Sequence, residues 1–458
     1  MLTAINVDTL RGQVRGDVIT PEDPDYEKAR GVFNAMIDKR PAVIVRAVNT
    51  HDVITAVNFA RESQLQVAIK DGGHSVPGFG TVDDGLVIDL TRMRGVRIDP
   101  NSKTARVEGG ATWGDFNHAG YPYGLATTGG IISTTGVSGL TLGGGIGYLA
   151  RAHGLSLDNV TSADVVTADG RLLIASEREN DDLFWAIRGG GGNFGVVTSW
   201  EFKVHPVKDI LGGPIFFELS DMEKILRFWR DFIKDAPREF GGFPAFQIAP
   251  PLPFIPENRH GDTLALVVTC WTGNQAEGEK IIKEITSIGS PVAVGVGPMP
   301  YYALNSAFDA LYPYGGLQHY WKANFVKEIS DDAIKAHIEH GGKVPALQST
   351  MHLYPINGAV NEVDRDATAF AFRDSTTAMV IAGMWPDAAD NEQNIKWVRD
   401  YAAAAAPYVE EGGYINFLSD DDQGRIQANF PGHYDRLVQI KRKYDPDNVF
   451  RRNQNIKP

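Results

Sequence analysis

The chain has 458 residues, about three times the ~150 residues of an average domain, so two or three full hydrophobic cores fit and a small stapled scaffold is excluded. Lys and Arg number 44 against 57 Asp and Glu, a formal net charge of −13 that excludes nucleic acid and anionic membrane surfaces as expected partners. The single cysteine, Cys270, rules out an intramolecular disulfide and any Cys-x-x-Cys metal or redox site. The 49 glycines, about 11% against ~7% ordinarily, are the compositional anomaly.

The opening MLTAINVDTLRGQVRGD carries Asp8, Arg11 and Arg15 and has neither the apolar core of a secretory signal nor the ~20 apolar residues of a membrane span. A cytoplasmic protein is expected. From residue 25 to 110 helix and strand alternate, which points to an α/β or α+β layer. The run AVIVRA (42–47) reads as a strand, and Thr50 is expected to cap a helix whose Val53, Val57 and Ala60 share one face. Strands follow at 65–70, 86–90 and 105–110. Residues 163–176 read as a hairpin turned at Asp169-Gly170, a pair that tolerates the positive φ of a two-residue turn. A helix at 181–189 and a strand at 196–204 complete this part.

After His205-Pro206 glycine thins out and aromatics multiply, so a domain boundary is placed near 207. Helices are predicted around 221–234, 276–287, 331–340 and 391–406, with strands such as TLALVVTCW (263–271) between them. The expected organisation is a first domain over 1–207, a second domain over 208–411 built as a sheet with helices on one face, and a tail from 412 to 458 expected to return to the first domain. The tail reads YINFL, an acidic loop and a basic helical stretch.

Two glycine clusters, 145–150 and 190–195, match the G-x-G-x-x-G/A pattern of dinucleotide sites, where bare backbone N–H groups can nest a phosphate. A Rossmann fingerprint follows a strand and opens a helix. Gly190–Gly195 does the reverse, which leaves a tight loop or a non-Rossmann pyrophosphate cradle. The string Asp71-Gly72-Gly73-His74-Ser75 lets backbone approach a bound group while His74 projects from the turn. His337 and His340 are expected on a solvated helix face, and Asp420, Asp421 and Asp422 in solvent, so no metal site is expected.

The strings KDGGHS, GLVIDLTRM, GGATWGDF, TTGVSGLTLGGGIGYLARAHGLSLDNV, ADVVTADGRLL, LFWAIRGGGGNFGVV and YDPDNVFRRNQNIKP, in that order, together resemble the FAD-linked oxidases of the vanillyl-alcohol oxidase superfamily, berberine bridge enzyme-like branch. The resemblance implies an α+β fold: a two-subdomain, PCMH-type FAD-binding domain, then a substrate domain with a large antiparallel sheet flanked by helices. It implies FAD as cofactor, with His74 bonded covalently to the flavin, which raises the flavin potential. Gly72, Gly73, Ser75, Thr134, Thr135, Gly136, Gly139, Gly143, Gly144, Gly145, Asn193 and Gly195 are the implied cofactor contacts, with Val197 and Asn455 as further candidates. Relatives with a second covalent link place a cysteine where this chain has Ile132, so a single link is expected.

What the resemblance implies for activity is hydride transfer from an alcohol or amine carbon of a small metabolite to flavin N5, with molecular oxygen as acceptor and hydrogen peroxide as product. A dehydrogenase with another acceptor, an oligosaccharide oxidase and a non-catalytic flavin carrier stay open as alternatives. Where relatives carry Tyr-x-Asn-Tyr, this chain has Tyr414-Ile415-Asn416-Phe417. Tyr414, with Asn416 beside it, is therefore the expected base or orienting residue. Tyrosine is a poor base at its ordinary pKa of ~10 unless a cation depresses it. Lys322 is the candidate cation and Tyr320 a second candidate base; both tyrosines are alternatively core aromatics.

Overall fold

The structure, a computed structural model, describes residues 7–458. Its first sheet has four strands, β1 (Asp17–Ile19), β2 (Val43–Arg46), β3 (Val67–Lys70) and β4 (Leu86–Asp89), in the order β1-β2-β4-β3. β4 lies parallel to both β2 and β3, and β1 is antiparallel at the edge. Parallel neighbours need a crossover, and the helix Thr50–Glu62 supplies it between β2 and β3. That helix is capped one residue earlier than expected. Asn49, extended at φ −159°, accepts a hydrogen bond from the Asp52 N–H, and Thr50 is already helical.

Next in the chain come β5 (Val96–Asp99), β6 (Thr104–Glu108), the short β7 (Leu125–Ala126), β8 (Val160–Val166), β9 (Leu172–Ser176), β10 (Val196–Lys203) and β11 (His205–Pro206). They form a five-stranded antiparallel sheet, β5-β6-β10-β8-β9, and a small β11-β7 pair. The hairpin β8-β9 has a longer connection than the two-residue turn expected: Thr167 pairs with Arg171, and Gly170 takes the left-handed φ of +79° inside the loop.

The third sheet comprises β12 (Asp209–Phe217), β13 (Phe240–Ile248), β14 (Thr263–Trp271), β15 (Pro291–Val294), β16 (Gly297–Pro300), β17 (Gln318–Val326), β18 (Thr350–Pro355) and β19 (Thr377–Trp385). Its path is β15-β12-β14-β13-β18-β19-β17, with β16 beside β12, and every pairing is antiparallel. Successive strand residues point to opposite faces, and here both faces are buried. Met351, Leu353, Met379, Ile381 and Trp385 pack with Ile225, Leu226 and Trp229 of the helix Met222–Asp235 and with Ile334 of the helix Asp331–Gly341. From the opposite face Tyr354, Val380, Ala382 and Met384 pack with Phe33, Ile146 and Tyr148, so the sheet is wedged between its helices and the first half of the chain.

Two local expectations are corrected. His337 is buried, 4% exposed, with its Nδ1 2.9 Å from the Tyr401 hydroxyl, because its helix presses this face on the helix Asn391–Ala405. Asp421 and Asp422 are not free in solvent; each stands 2.8 Å from Lys322 Nζ. The tail closes on the glycine loop through a buried pair: Lys441 Nζ donates to Asp445 (2.6 Å) and to the carbonyls of Asn193 (2.8 Å) and Phe450 (2.9 Å). Among the described residues no helix is long and apolar enough to cross a membrane.

Candidate active site

One cavity of about 280 Å³ runs where the three sheets and the tail converge. Its wall combines the β3–β4 region, the loops around residues 71–80 and 130–142, the glycine loop 191–195, one face of β18 and β19, and the tail at 415–417 and 450–454. Of the residues implicated from the sequence, Gly73, His74, Ser75, Thr135, Gly136, Gly139, Gly195, Val197 and Asn416 line it.

His74 is fixed from three sides. Its ring stacks on Phe33 with centroids 4.0 Å apart and planes 14° from parallel. Thr134 Oγ1 lies 3.0 Å from Nε2, and Thr135 Oγ1 3.4 Å from Nδ1. Burial, which outweighs a contact with the Thr134 backbone, pushes the imidazole down to about 3, so it is neutral at physiological pH and keeps one nitrogen lone pair. Phe33 also packs on His319, centroids 4.4 Å apart.

The remaining implicated glycines and asparagines act behind the wall. A Cβ on Gly72 would stand 2.3 Å from the Gly136 nitrogen, so this glycine lets the two cofactor-side loops touch. Gly143, Gly144 and Gly145 face the tail and a neighbouring loop: a Cβ there would meet Asn416 at 2.2 Å, Tyr414 at 2.9 Å and Ser156 at 2.0 Å respectively. Asn193 is fully buried, its amide bonding the carbonyls of Gly190 and Gln454 and its oxygen accepting from the Ile456 N–H. Asn455 lies outside the lining, its Oδ1 buried without a partner.

Geometry sets the expected catalytic tyrosine behind the cavity wall. Tyr414 is 1% exposed and outside the lining. Its hydroxyl oxygen accepts from the backbone N–H of Gly145 (2.8 Å) and Ile146 (3.3 Å) and from Asn416 Nδ2 (2.9 Å). Burial pushes its pKa up to about 12, the reverse of what a base requires. Tyr320 and Lys322 are also outside the lining, where Tyr320 bonds Asp421 (2.5 Å) and Arg399 (3.0 Å). Burial and the Asp421 hydrogen bond raise the Tyr320 pKa, and Lys322, although partly buried, is held charged by Asp421 and Asp422. Lys322 is therefore a partner for the acidic loop; its charge lowers the Tyr320 pKa, but burial and the Asp421 hydrogen bond outweigh it. Asn416 reaches the cavity but serves as a strut, bonding the Leu140 carbonyl (2.9 Å) as well as Tyr414.

The sequence reasoning missed the groups that do face inward. Thr350, His352 and Tyr354 occupy alternate positions of β18 on the cavity side, and His352 Nδ1 is 2.5 Å from the Tyr354 hydroxyl. Their signal was a polar residue at every second position of an otherwise apolar strand. Arg452 was also missed, and its Nε is buried in the wall without a partner.

The residues present fit a flavin dinucleotide. Gly191 and Gly192 leave open wall, since a Cβ on Gly192 would meet no protein atom within 4 Å. Arg452, with its unpaired Nε, supplies positive charge for a diphosphate, and Val67, Ile69, Leu90, Val196 and Phe450 make an apolar end.

Comparison with known proteins agrees. The family model "FAD binding domain" matches residues 41–176, and "Berberine and berberine like" matches 413–457. An FAD-linked oxidoreductase of Dictyostelium discoideum is 34% identical over 431 residues, covering 93% of this chain and 91% of that protein. The chain belongs to the berberine bridge enzyme-like FAD-linked oxidoreductases. This oxidoreductase is also 28% identical to the (R)-6-hydroxynicotine oxidase of Paenarthrobacter nicotinovorans over 464 residues, 97% of each chain. The crystal structure of 6-hydroxy-D-nicotine oxidase from Arthrobacter nicotinovorans superposes with a TM-score of 0.85 at 26% identity, covering 97% of this chain and 98% of that one. The α+β architecture expected from the sequence, with its FAD-binding part and large antiparallel sheet, is thus the family's.

Proposed function

We propose that this FAD-linked oxidoreductase is an oxidase that holds FAD through a single covalent bond to His74, oxidises an alcohol or amine carbon of a small metabolite, and passes the electrons to oxygen. The observation that carries the covalent reading is His74 itself: a neutral imidazole on the cavity wall, oriented by two threonine hydroxyls and the Phe33 ring. When bound, FAD accepts the hydride and returns two electrons to an acceptor. The chain's own part is to hold and orient. Arg452 and the open backbone of Gly191 and Gly192 receive the diphosphate, His74 fixes the ring end, and β18 and β19 face the donor. Ile132, an alkyl side chain on the wall where doubly linked relatives carry a thiol, supports one bond only.

This reading assigns cofactor binding to residues 1–207 and 412–458 and the donor wall chiefly to 208–411. The single Cys270, buried as a free thiol, supports a cytoplasmic location. The test is acid precipitation of the purified protein. Flavin should stay with the pellet of the native protein and move to the supernatant of His74→Ala. Flavin released from the native chain would refute the bond at His74.

A further inference from the structure

The niche around His74 is closed by residues from both halves of the chain. Residues 131–135 form neither helix nor strand, so the placement of Thr134 and Thr135 against the imidazole is set by what ties this loop. From the first half, the Gly114 N–H donates to the Ser133 carbonyl at 2.8 Å and the Trp113 N–H to the Thr135 carbonyl at 3.0 Å. These bonds leave free the N–H and hydroxyl of Ser133, the residue next to both threonines. Both groups meet one carboxylate, 176 residues further along the chain. The Ser133 N–H donates to Asp309 Oδ1 at 3.0 Å, and its hydroxyl donates to Oδ2. Two bonds between one residue and one carboxylate fix orientation as well as distance. Nearby, the fully buried Asn305 donates to the Gly130 carbonyl and accepts from Asn117 Nδ2 at 2.9 Å.

The same stretch continues along the niche. The Tyr314 ring stands edge-on to His74, centroids 5.9 Å apart, and a Cβ on Gly73 would stand 2.3 Å from the Tyr314 hydroxyl. The Gly315 N–H donates to the Phe33 carbonyl at 3.1 Å, and the Phe33 N–H donates to the Gly73 carbonyl at 3.0 Å. Residues 305–315 thus act as a strap on each group that orients the imidazole. Asn305 and Asp309 hold the threonine loop, Tyr314 covers the Gly73 turn, and Gly315 holds the residue whose ring stacks on His74.

We propose that Asp309 is a positioning residue for the covalent attachment of FAD: through Ser133 it sets Thr134 and Thr135, and they set His74. This rests on the covalent reading above and brings the second half of the chain into a bond made in the first. Forming that bond removes one hydrogen from the imidazole and one from the flavin methyl group it joins. An N–C bond replaces an N–H and a C–H bond. The two electrons released pass through the flavin to oxygen, which leaves with two protons as hydrogen peroxide. Bond formation needs an imidazole lone pair aimed at the methyl carbon, so a ring free to turn reacts from few of its orientations. Asp309 touches no reacting atom; it keeps the ring from turning.

The experiment measures flavin twice on the full-length protein: total flavin from the absorbance of the native sample, and covalent flavin from the acid pellet. Apoprotein made under flavin starvation is then mixed with FAD in air, and pellet flavin is followed in time. Asp309→Ala should bind total flavin within about twofold of the native protein, yet gain pellet flavin about tenfold or more slowly. Asp309→Asn can accept the Ser133 N–H and donate to its hydroxyl, so it should return the rate to within about threefold of native. Ser133→Ala cuts the contact from the other side, and combining it with Asp309→Ala should slow attachment no further than the slower single variant. A native rate in Asp309→Ala overturns the inference alone. Total flavin that falls in step with pellet flavin makes Asp309 merely structural and also overturns it. If Asp309→Ala does not fold, an unchanged rate in Ser133→Ala overturns it. Flavin released by acid from the native chain defeats the covalent reading, and the inference with it.

Discussion

Replacing Tyr414 by Phe separates a strut from a base. The hydroxyl is the acceptor for the Gly145 N–H at 2.8 Å, a weaker acceptor for Ile146 at 3.3 Å, and a second partner of Asn416, whose amide keeps the Leu140 carbonyl. Removing it strands one buried backbone donor outright, at about 1–3 kcal/mol, and weakens two further contacts, for a total of about 2–4 kcal/mol. That is a drop of roughly 30- to 1,000-fold in the folded ratio, read as a lower urea midpoint with tryptophan and flavin fluorescence as independent probes. The rate of anaerobic flavin reduction by a competent donor should stay within about threefold of the native value, because the side chain never reaches the cavity. General bases are worth about 10²–10⁴ in rate. A Tyr414→Phe protein of native stability whose flavin reduction falls 100-fold would refute this assignment.

Gly192→Ala should leave the apoprotein's urea midpoint unchanged, since a methyl there meets no protein atom within 4 Å, but lower the flavin-to-protein ratio on purification; an unaltered ratio would place the cofactor away from this loop. Lys441→Met should destabilise by about 3–5 kcal/mol, because it leaves Asp445 charged at 0% exposure. A change below about 1 kcal/mol would show that water reaches the pair. Stability of the apoprotein should also fall on acidification. His319, His337 and His352 are held by burial near 3, 4 and 3, below the ordinary value of 6.5. The unfolded chain therefore binds more protons between those values and 6.5, so this stability is complete above about pH 6.5 and is lost as the pH falls toward 4 and 3. A flat urea midpoint from pH 7 to about 4 would contradict it.

The parts of the fold that the sequence announced are those with local signals. Asp169-Gly170 marks a turn by its own conformational freedom, and the glycine loop between the helix Asp181–Ile187 and β10 shows by its element order that it is not a Rossmann loop. On the donor wall, β19 had no such signal. β18 and β19 are buried on both faces, so helix-facing Met379 and Ile381 read the same as cavity-facing Val380 and Ala382. Tyr414 shows the opposite failure. A motif located it correctly in the chain, yet whether its hydroxyl points at a donor or at a backbone N–H is set by the glycines 143–145, some 270 residues away in sequence. The same holds for Tyr320 and Lys322, whose adjacency suggested a tuned pair until the acidic loop supplied both with partners.

The tail also fixes when in its life the molecule can acquire its cofactor. Phe450, Arg452, Asn453 and Gln454 belong to the cavity wall, and Ile456 closes on Asn193. A chain still emerging from the ribosome has its first two sheets and every glycine loop outside before these residues leave the exit tunnel. Such a nascent chain lacks the side of the cavity that carries Arg452, so a diphosphate meets no positive side chain there until the tail has docked.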